Sequence, residues 1–109
     1  MRNLKRKQHL YCIVLGYIPG DEGFKSLLLA TNDEDGVLTY VGKVGTGFAK
    51  DKRKRIIDLL REHGSEKPFI PVEEKANWVG PGLYCEVKFT EKTQDGFLRS
   101  AVFVDIVEA

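Results

Sequence analysis

The chain has 109 residues, of which 17 are Lys or Arg and 16 Asp or Glu, giving a formal net charge of +1, with 42% hydrophobic and 30% charged side chains. That size and balance fit one compact domain with a small core, and they exclude a two-domain enzyme and a chain disordered throughout. Two cysteines, Cys12 and Cys85, are too few and too far apart for a secreted disulfide framework or a Cys-x-x-Cys metal knuckle, and they read as reduced, cytosolic thiols.

In chain order, residues 1–8 form a basic arm carrying Arg2, Lys5, Arg6 and Lys7, and residues 9–109 are expected to fold. The apolar run at 10–15 is too short to cross a membrane and no small-residue cleavage site follows it, so no export or membrane segment is expected. Residues 10–18, rich in Tyr, Ile, Val and Leu and closed by Pro19-Gly20, read as a strand and turn. Residues 26–31 and 37–44 flank the polar, Gly-ended loop 32–36, which predicts a β-hairpin. Ile56, Leu59, Leu60 and His63 then recur at helical spacing, with Gly64 as a stop, so one amphipathic helix is predicted over about 49–63.

The connector 65–82 holds Pro68, Pro71 and Pro81, which argue against regular structure, while Phe69, Ile70, Trp78 and Val79 are candidates to pin it to the core. Leu83, Cys85, Val87 and Phe89 alternate with polar or exposed types, the pattern of a strand with one buried face. Gln94-Asp95-Gly96 turns the chain into a last strand, 97–107, whose buried face is expected to carry Val102, Val104 and Ile106. Three strands, a helix and two strands suit an all-β, five-stranded, closed or partly open antiparallel barrel of the oligonucleotide/oligosaccharide-binding (OB) type, with the helix between strands 3 and 4. An SH3-like barrel or another α+β roll competes on element order alone.

Catalytic chemistry has little footing. His9 and His63 have no Ser, Cys or carboxylate at a motif spacing, and His63 fits a partly buried helix end near the negative pole of the dipole. Asp33, Glu34 and Asp35 lack the closing glutamate of a calcium loop, and no metal site is expected. Charge is more informative. Residues 1–61 carry 12 basic and 7 acidic side chains, a net of +5, whereas 62–109 carry a net of −4. The cluster Lys50, Lys52, Arg53, Lys54, Arg55 crowds the start of the helix, where positive charge opposes the dipole. Such clusters attract phosphate without reading sequence, although a solvated helix face accounts for them equally well. The glycine series 42–48 offers backbone amides to a phosphate but matches neither the dinucleotide nor the Walker spacing, and a tight barrel corner is the plainer reading.

The string Tyr40-Val-Gly-Lys-Val-Gly-Thr-Gly-Phe48, followed by Pro68-Phe69, Trp78-Val79, Cys85-Glu-Val-Lys-Phe-Thr-Glu91 and Asp95-Gly-Phe-Leu-Arg99, resembles the C-terminal OB-fold region of ATP-dependent DNA ligases, above all the bacterial and archaeal end-joining type. The resemblance covers about residues 6–107. It implies a domain that closes over nicked duplex DNA beside a separate nucleotidyltransferase domain carrying the AMP-accepting lysine, in the cytoplasm with the nucleoid. That lysine's Lys-x-Asp-Gly motif is missing, since Lys92-Thr-Gln-Asp-Gly96 is one residue too long, so the chain is expected to be non-catalytic alone and monomeric when isolated. ATP and magnesium are implied for the complete ligase, with no cofactor bound by this domain.

The resemblance places DNA contacts at Lys43, Thr46 and Gly47, on a loop approaching the backbone, and at Lys52, Arg53 and Arg55 on the helix, with Arg6, Lys7, Lys88, Lys92 and Arg99 as further candidates. Positions 52 and 53 are both expected on an exposed first turn. Leu98-Arg99 matches the beginning of the final ligase motif that orients ATP's pyrophosphate, but Val107 stands where the family usually has an arginine. Two other classes stay open. A single-strand-binding OB protein would use Tyr11, Tyr17, Tyr40, Tyr84 or Phe103 as stacking platforms. A protein-docking module for a ligase core would barely touch DNA.

Overall fold

A computed structural model describes residues 8–21 and 23–108. Strands β1 (Gln8–Ile18), β2 (Ser26–Asn32) and β3 (Leu38–Val44) form an antiparallel meander. A 3-10 turn at Lys50–Lys52 runs into helix α1 (Arg53–Glu62), and then come β4 (Gly64–Ser65), β5 (Asn77–Val79), β6 (Leu83–Phe89), β7 (Glu91–Lys92), β8 (Leu98–Arg99) and β9 (Val102–Glu108). β1 is the hub, pairing with β2, β5 and β6, and β6 passes the sheet on to β9. The principal strands and helix follow the expected order, and the fold is the OB fold. Arg6 and Lys7 of the basic arm lie outside the described residues.

Local chemistry explains the first hairpin and the helix. The Asp33 carboxylate accepts the backbone N–H groups of Asp35 and Val37, each at 2.9 Å, and Gly36 takes φ 79° to close the turn. These bonds, Val37's first, hold the Asp33 carboxyl below its ordinary value of 3.8. In α1, Ile56, Ile57, Leu59 and Leu60 are buried, so its apolar stripe plugs the barrel against Val14, Leu27, Leu29, Val44, Leu83 and Val87. His63 caps the helix half-buried as expected, and its Nε2 lies 2.8 Å from a Glu108 carboxylate oxygen on β9.

The connector differs from expectation. Its prolines fall outside the paired residues, and Asn77 and Trp78 add a short strand to Tyr17 and Gly16 while β5 also pairs with β4. The pairing is possible because Gly16 has no side chain: a Cβ there would lie 2.6 Å from the Asn77 carbonyl oxygen. Phe69, Ile70, Val72 and Trp78 then cover the outer face of the meander, enclosing Leu15, Leu28 and Ala30 in a second apolar cluster. Val79 joins the main core instead.

The final strand is also corrected. Ser100, at φ 56°, separates β8 from β9, and a bulge in the β6–β9 ladder resets the alternation. Phe103 and Ile106 are therefore buried, whereas Val102 and Val104 are only half-buried. Between β3 and β9 there is no ladder among the described residues. The Phe103 N–H donates to the Thr46 carbonyl at 2.8 Å, and the β7–β8 hairpin leans on β3 with Phe97 against the Tyr40 ring, centroids 5.5 Å apart.

Cys12 and Cys85 face each other across β1 and β6, both buried and free. Burial pushes the Cys12 thiol from 9.0 up to about 12, partly offset by Lys92, and raises Cys85 further still. Because the folded values are raised, the thiols leave stability untouched below pH 9.0 and withdraw it as pH climbs toward about 12. A thiol-reactive disulfide reagent at pH 8 is expected to label neither cysteine until denaturant is added. Labelling of the native domain at the rate of a free thiol would show that β1 and β6 do not shield them.

Candidate nucleic-acid interface

The glycine-rich corner after β3 is committed to the fold. Gly47 adopts φ 93°, and a Cβ on it would lie 2.4 Å from the Phe103 carbonyl oxygen and 2.7 Å from Val102 Cγ1. The Thr46 hydroxyl donates to the Ala101 carbonyl at 3.3 Å. The backbone approached so closely is that of β9, as the barrel-corner reading expects. Lys43, exposed on β3, places its Nζ 3.1 Å from a Glu74 carboxylate oxygen on the connector, so part of its charge is balanced within the chain. The same Glu74 helps burial push the neighbouring Tyr40 hydroxyl up to about 12, with burial the larger cause.

On the helix the cations divide. Arg53 is half-buried rather than exposed: its guanidinium sits 4.8 Å from the Phe24 ring centroid and 5.5 Å from that of Phe48, and Nη1 donates to the Phe24 carbonyl at 3.1 Å. This corrects the expectation of an exposed pair at 52 and 53. A helix turns about 100° per residue, which carries Arg53 inward toward the aromatic pair while Lys52 stays in solvent. Lys54 forms an exposed i,i+4 pair with Asp58 at 3.2 Å. Lys50, Lys52 and Arg55 are exposed and make no ion pair or side-chain hydrogen bond among the described residues. No acidic residue occupies the first turn of α1 and no side chain caps it, so these charges work against the helix that carries them.

With fold and surface in view, residues 20–108 match the family described as the ATP dependent DNA ligase C terminal region. The chain belongs to that family. It is 35% identical over 100 residues to the multifunctional non-homologous end joining protein LigD of Mycolicibacterium smegmatis, covering 86% of this chain and 11% of the relative. It is 36% identical over 81 residues to the LigD of Pseudomonas aeruginosa, covering 69% and 10%. Among solved structures, the ligase domain of M. tuberculosis LigD superposes with a TM-score of 0.80 at 24% identity, over 93% of this chain and 35% of that one. A mycobacterial DNA ligase D complexed with ATP and MES gives 0.78 at 24%, over 94% and 35%. At that identity the superpositions speak to the fold, and the chain spans about a tenth of the length of the LigD relatives.

Within this ligase C-terminal domain the remaining candidates are scattered. Lys88 lies on β6 beside His9 of β1 and Val102 of β9, Lys92 is exposed on β7, and Arg99 stands across from Glu91 on the β7–β8 hairpin, 3.7 Å away. They do not converge with Lys52 and Arg55 into one constellation that the structure itself defines. Of the aromatic candidates, Tyr11 is 64% and Tyr84 41% exposed, diagonal neighbours on the outer face of β1 and β6 with Tyr11 opposite Glu86 and Tyr84 opposite Ile13, whereas Phe103 is buried and Tyr17 and Tyr40 are half-buried. Val107, opposite Tyr84 in the ladder, is 46% exposed and its side chain carries no hydrogen-bond donor. Among the described residues, no three His, Cys, Asp or Glu side chains group as metal ligands, and no helix is long and apolar enough to cross a membrane. Sequence reading passed over two cations near this surface, Lys25 and Arg61. Arg61 was accessible to it, since it lies seven residues after Lys54 and so on the same helical face.

Proposed function

We propose that this domain clamps nicked duplex DNA through phosphate contacts and supports strand sealing by a separate nucleotidyltransferase domain, as part of an ATP-dependent DNA ligase acting in end joining. The observation that carries the reading, together with family membership, is the set of solvent-exposed cations Lys50, Lys52 and Arg55, which make no ion pair among the described residues and are placed where they disfavour their own helix. Lys43, Lys88, Lys92 and Arg99 are secondary contacts; Thr46 and Gly47 serve by holding the corner that presents the helix, and Arg53 by its stacking. Arg6 and Lys7, outside the described residues, are further cations for phosphate. The isolated domain acts as a monomer, and the complete ligase works in the cytoplasm with the nucleoid.

ATP and magnesium belong to the complete ligase, supplying the AMP group and the charge that steadies its phosphates. Within this chain the position expected to reach ATP's pyrophosphate is Val107, whose side chain offers it no hydrogen bond. The domain therefore contributes to DNA engagement far more than to nucleotide loading.

Contacts to phosphate are sequence-independent and release counterions, so affinity for a nicked duplex is expected to fall steeply with salt, with log K dropping by about 0.9 per phosphate neutralised for each unit of log salt. Unchanged affinity between low and moderate salt would overturn the reading. The exposed pair Tyr11 and Tyr84 favours a second reading as a single-strand platform. The same titration with single strands as competitors separates the two: tighter capture of single strands would select the stacking face.

A further inference from the structure

Two depressions share Arg53 as a wall beside the loop that precedes β2, one running along α1 and the other reaching from that loop to the corner after β3. One, of about 490 Å³, is flanked by Lys50, Lys54, Asp58 and Arg61 over a floor of Gly23 and Ile57. The floor is low because Gly23, at φ 102°, has no side chain; a Cβ there would press on Ile57 Cγ1 at 3.0 Å. The other, of about 670 Å³, is bordered by Asp21, Phe24, Lys25 and Gly45. Lys25, Lys50 and Arg61 form no ion pair among the described residues, and Lys54 is held only by its exposed neighbour Asp58. The flank thus gathers Lys25, Lys50, Arg53, Lys54 and Arg61 against Asp21 and Asp58, drawn from two separate stretches of chain.

From this geometry we infer that the groove along the Lys50–Lys54–Arg61 side of α1, continued by Lys25, is a seat for one strand of a nucleic-acid phosphate backbone. The inference rests on the DNA-clamping reading and deepens it by extending the contacts from Lys50 to Lys54, Arg61 and Lys25 on this flank. Three points support a polymer. Lys54 and Arg61 are seven residues apart, about 10 Å along a helix, the axial length over which one DNA strand carries about three phosphates. The cations line two depressions that meet at Arg53, rather than a single cavity for one anion. Lys50 and Lys54 stand at the start of the helix, where they cost stability, so folding does not account for them, whereas Arg61 in the last turn suits the dipole. A free nucleotide shares the phosphate chemistry, and the test separates it.

The test titrates three proteins with a nicked duplex across salt concentrations: the unaltered chain, the triple variant Lys50→Gln, Lys54→Gln, Arg61→Gln, and Asp58→Asn. The triple variant is expected to keep its melting temperature, to lose at least about tenfold in affinity at low salt, and to show a salt slope shallower by about 2. Asp58→Asn frees Lys54 and removes a repelling carboxylate, so it is expected to bind about two- to threefold tighter, a gain that a damaged fold cannot mimic. If the unaltered chain binds duplex and the triple variant binds it with the same affinity and slope, the groove is not the seat, although the clamping reading survives. If the unaltered chain does not bind duplex at all, both fall. Displacement of the duplex by equimolar ATP would assign the groove to a free nucleotide and overturn the backbone seat.

Discussion

Gly47→Ala is expected to bring the domain close to unfolding. Alanine pays for φ 93° in any context, but the larger cost is steric, because the new Cβ would meet the Phe103 carbonyl oxygen at 2.4 Å and the Phe103 nitrogen at 2.8 Å. Those are backbone atoms and cannot rotate aside. Relief requires the corner to lift away from β9, which gives up the Phe103 N–H to Thr46 carbonyl bond that links the β3 corner to β9. We expect a loss of about 3 kcal/mol or more, out of the 5–15 kcal/mol typical of a domain, and a fall in Tm of at least about 12 °C. A Tm within about 3 °C of the parent in a thermal melt would mean that the corner does not rest on β9.

Leu28→Ala tests the second apolar cluster. Leu28 is fully buried on the outer face of the meander, beside Leu15 and Ala30 and beneath the connector's Phe69, Ile70 and Trp78. Truncation removes three buried carbon atoms and leaves a cavity, which costs about 2–5 kcal/mol when the surroundings do not collapse. On an uncovered sheet face the same change would cost about 0.5 kcal/mol or less. Urea denaturation distinguishes these outcomes by the shift in midpoint. A negligible shift would mean that the connector does not seal the face.

That cluster was legible in the sequence. Residues 10–18 and 26–31 are apolar almost without alternation, which signals strands covered on both faces, whereas 83–89 alternates cleanly and has one face toward solvent. The connector's aromatics supplied the missing cover, but its prolines drew attention from the short pairing at Asn77 and Trp78, which depends on an absent side chain at Gly16 in another strand. The break at Ser100 and the bulge at Val104, just after Phe103, leave no local trace, since serine is not a residue that marks a left-handed position.

The site was read less completely than the fold, for a physical reason. A glycine series announces a close backbone approach without saying whether the partner is a phosphate or a strand of the same chain, and here it is β9. A run of five cations announces charge, but its orientation depends on helical phase and on the aromatic pair that draws Arg53 inward. Lys25 and Arg61 join Lys50 and Lys54 only in three dimensions.

The division of labour between gripping DNA and loading nucleotide can be measured directly. A ligase nucleotidyltransferase core lacking its own OB domain, mixed with this chain, is assayed for sealing a pre-adenylated nick and, with labelled ATP, for AMP transfer to the core. With exposed cations along α1 and a donor-free valine at position 107, sealing is expected to rise far more than AMP transfer. Equal stimulation of both steps would contradict the account and point to Arg99 or another cation in the role the valine cannot fill.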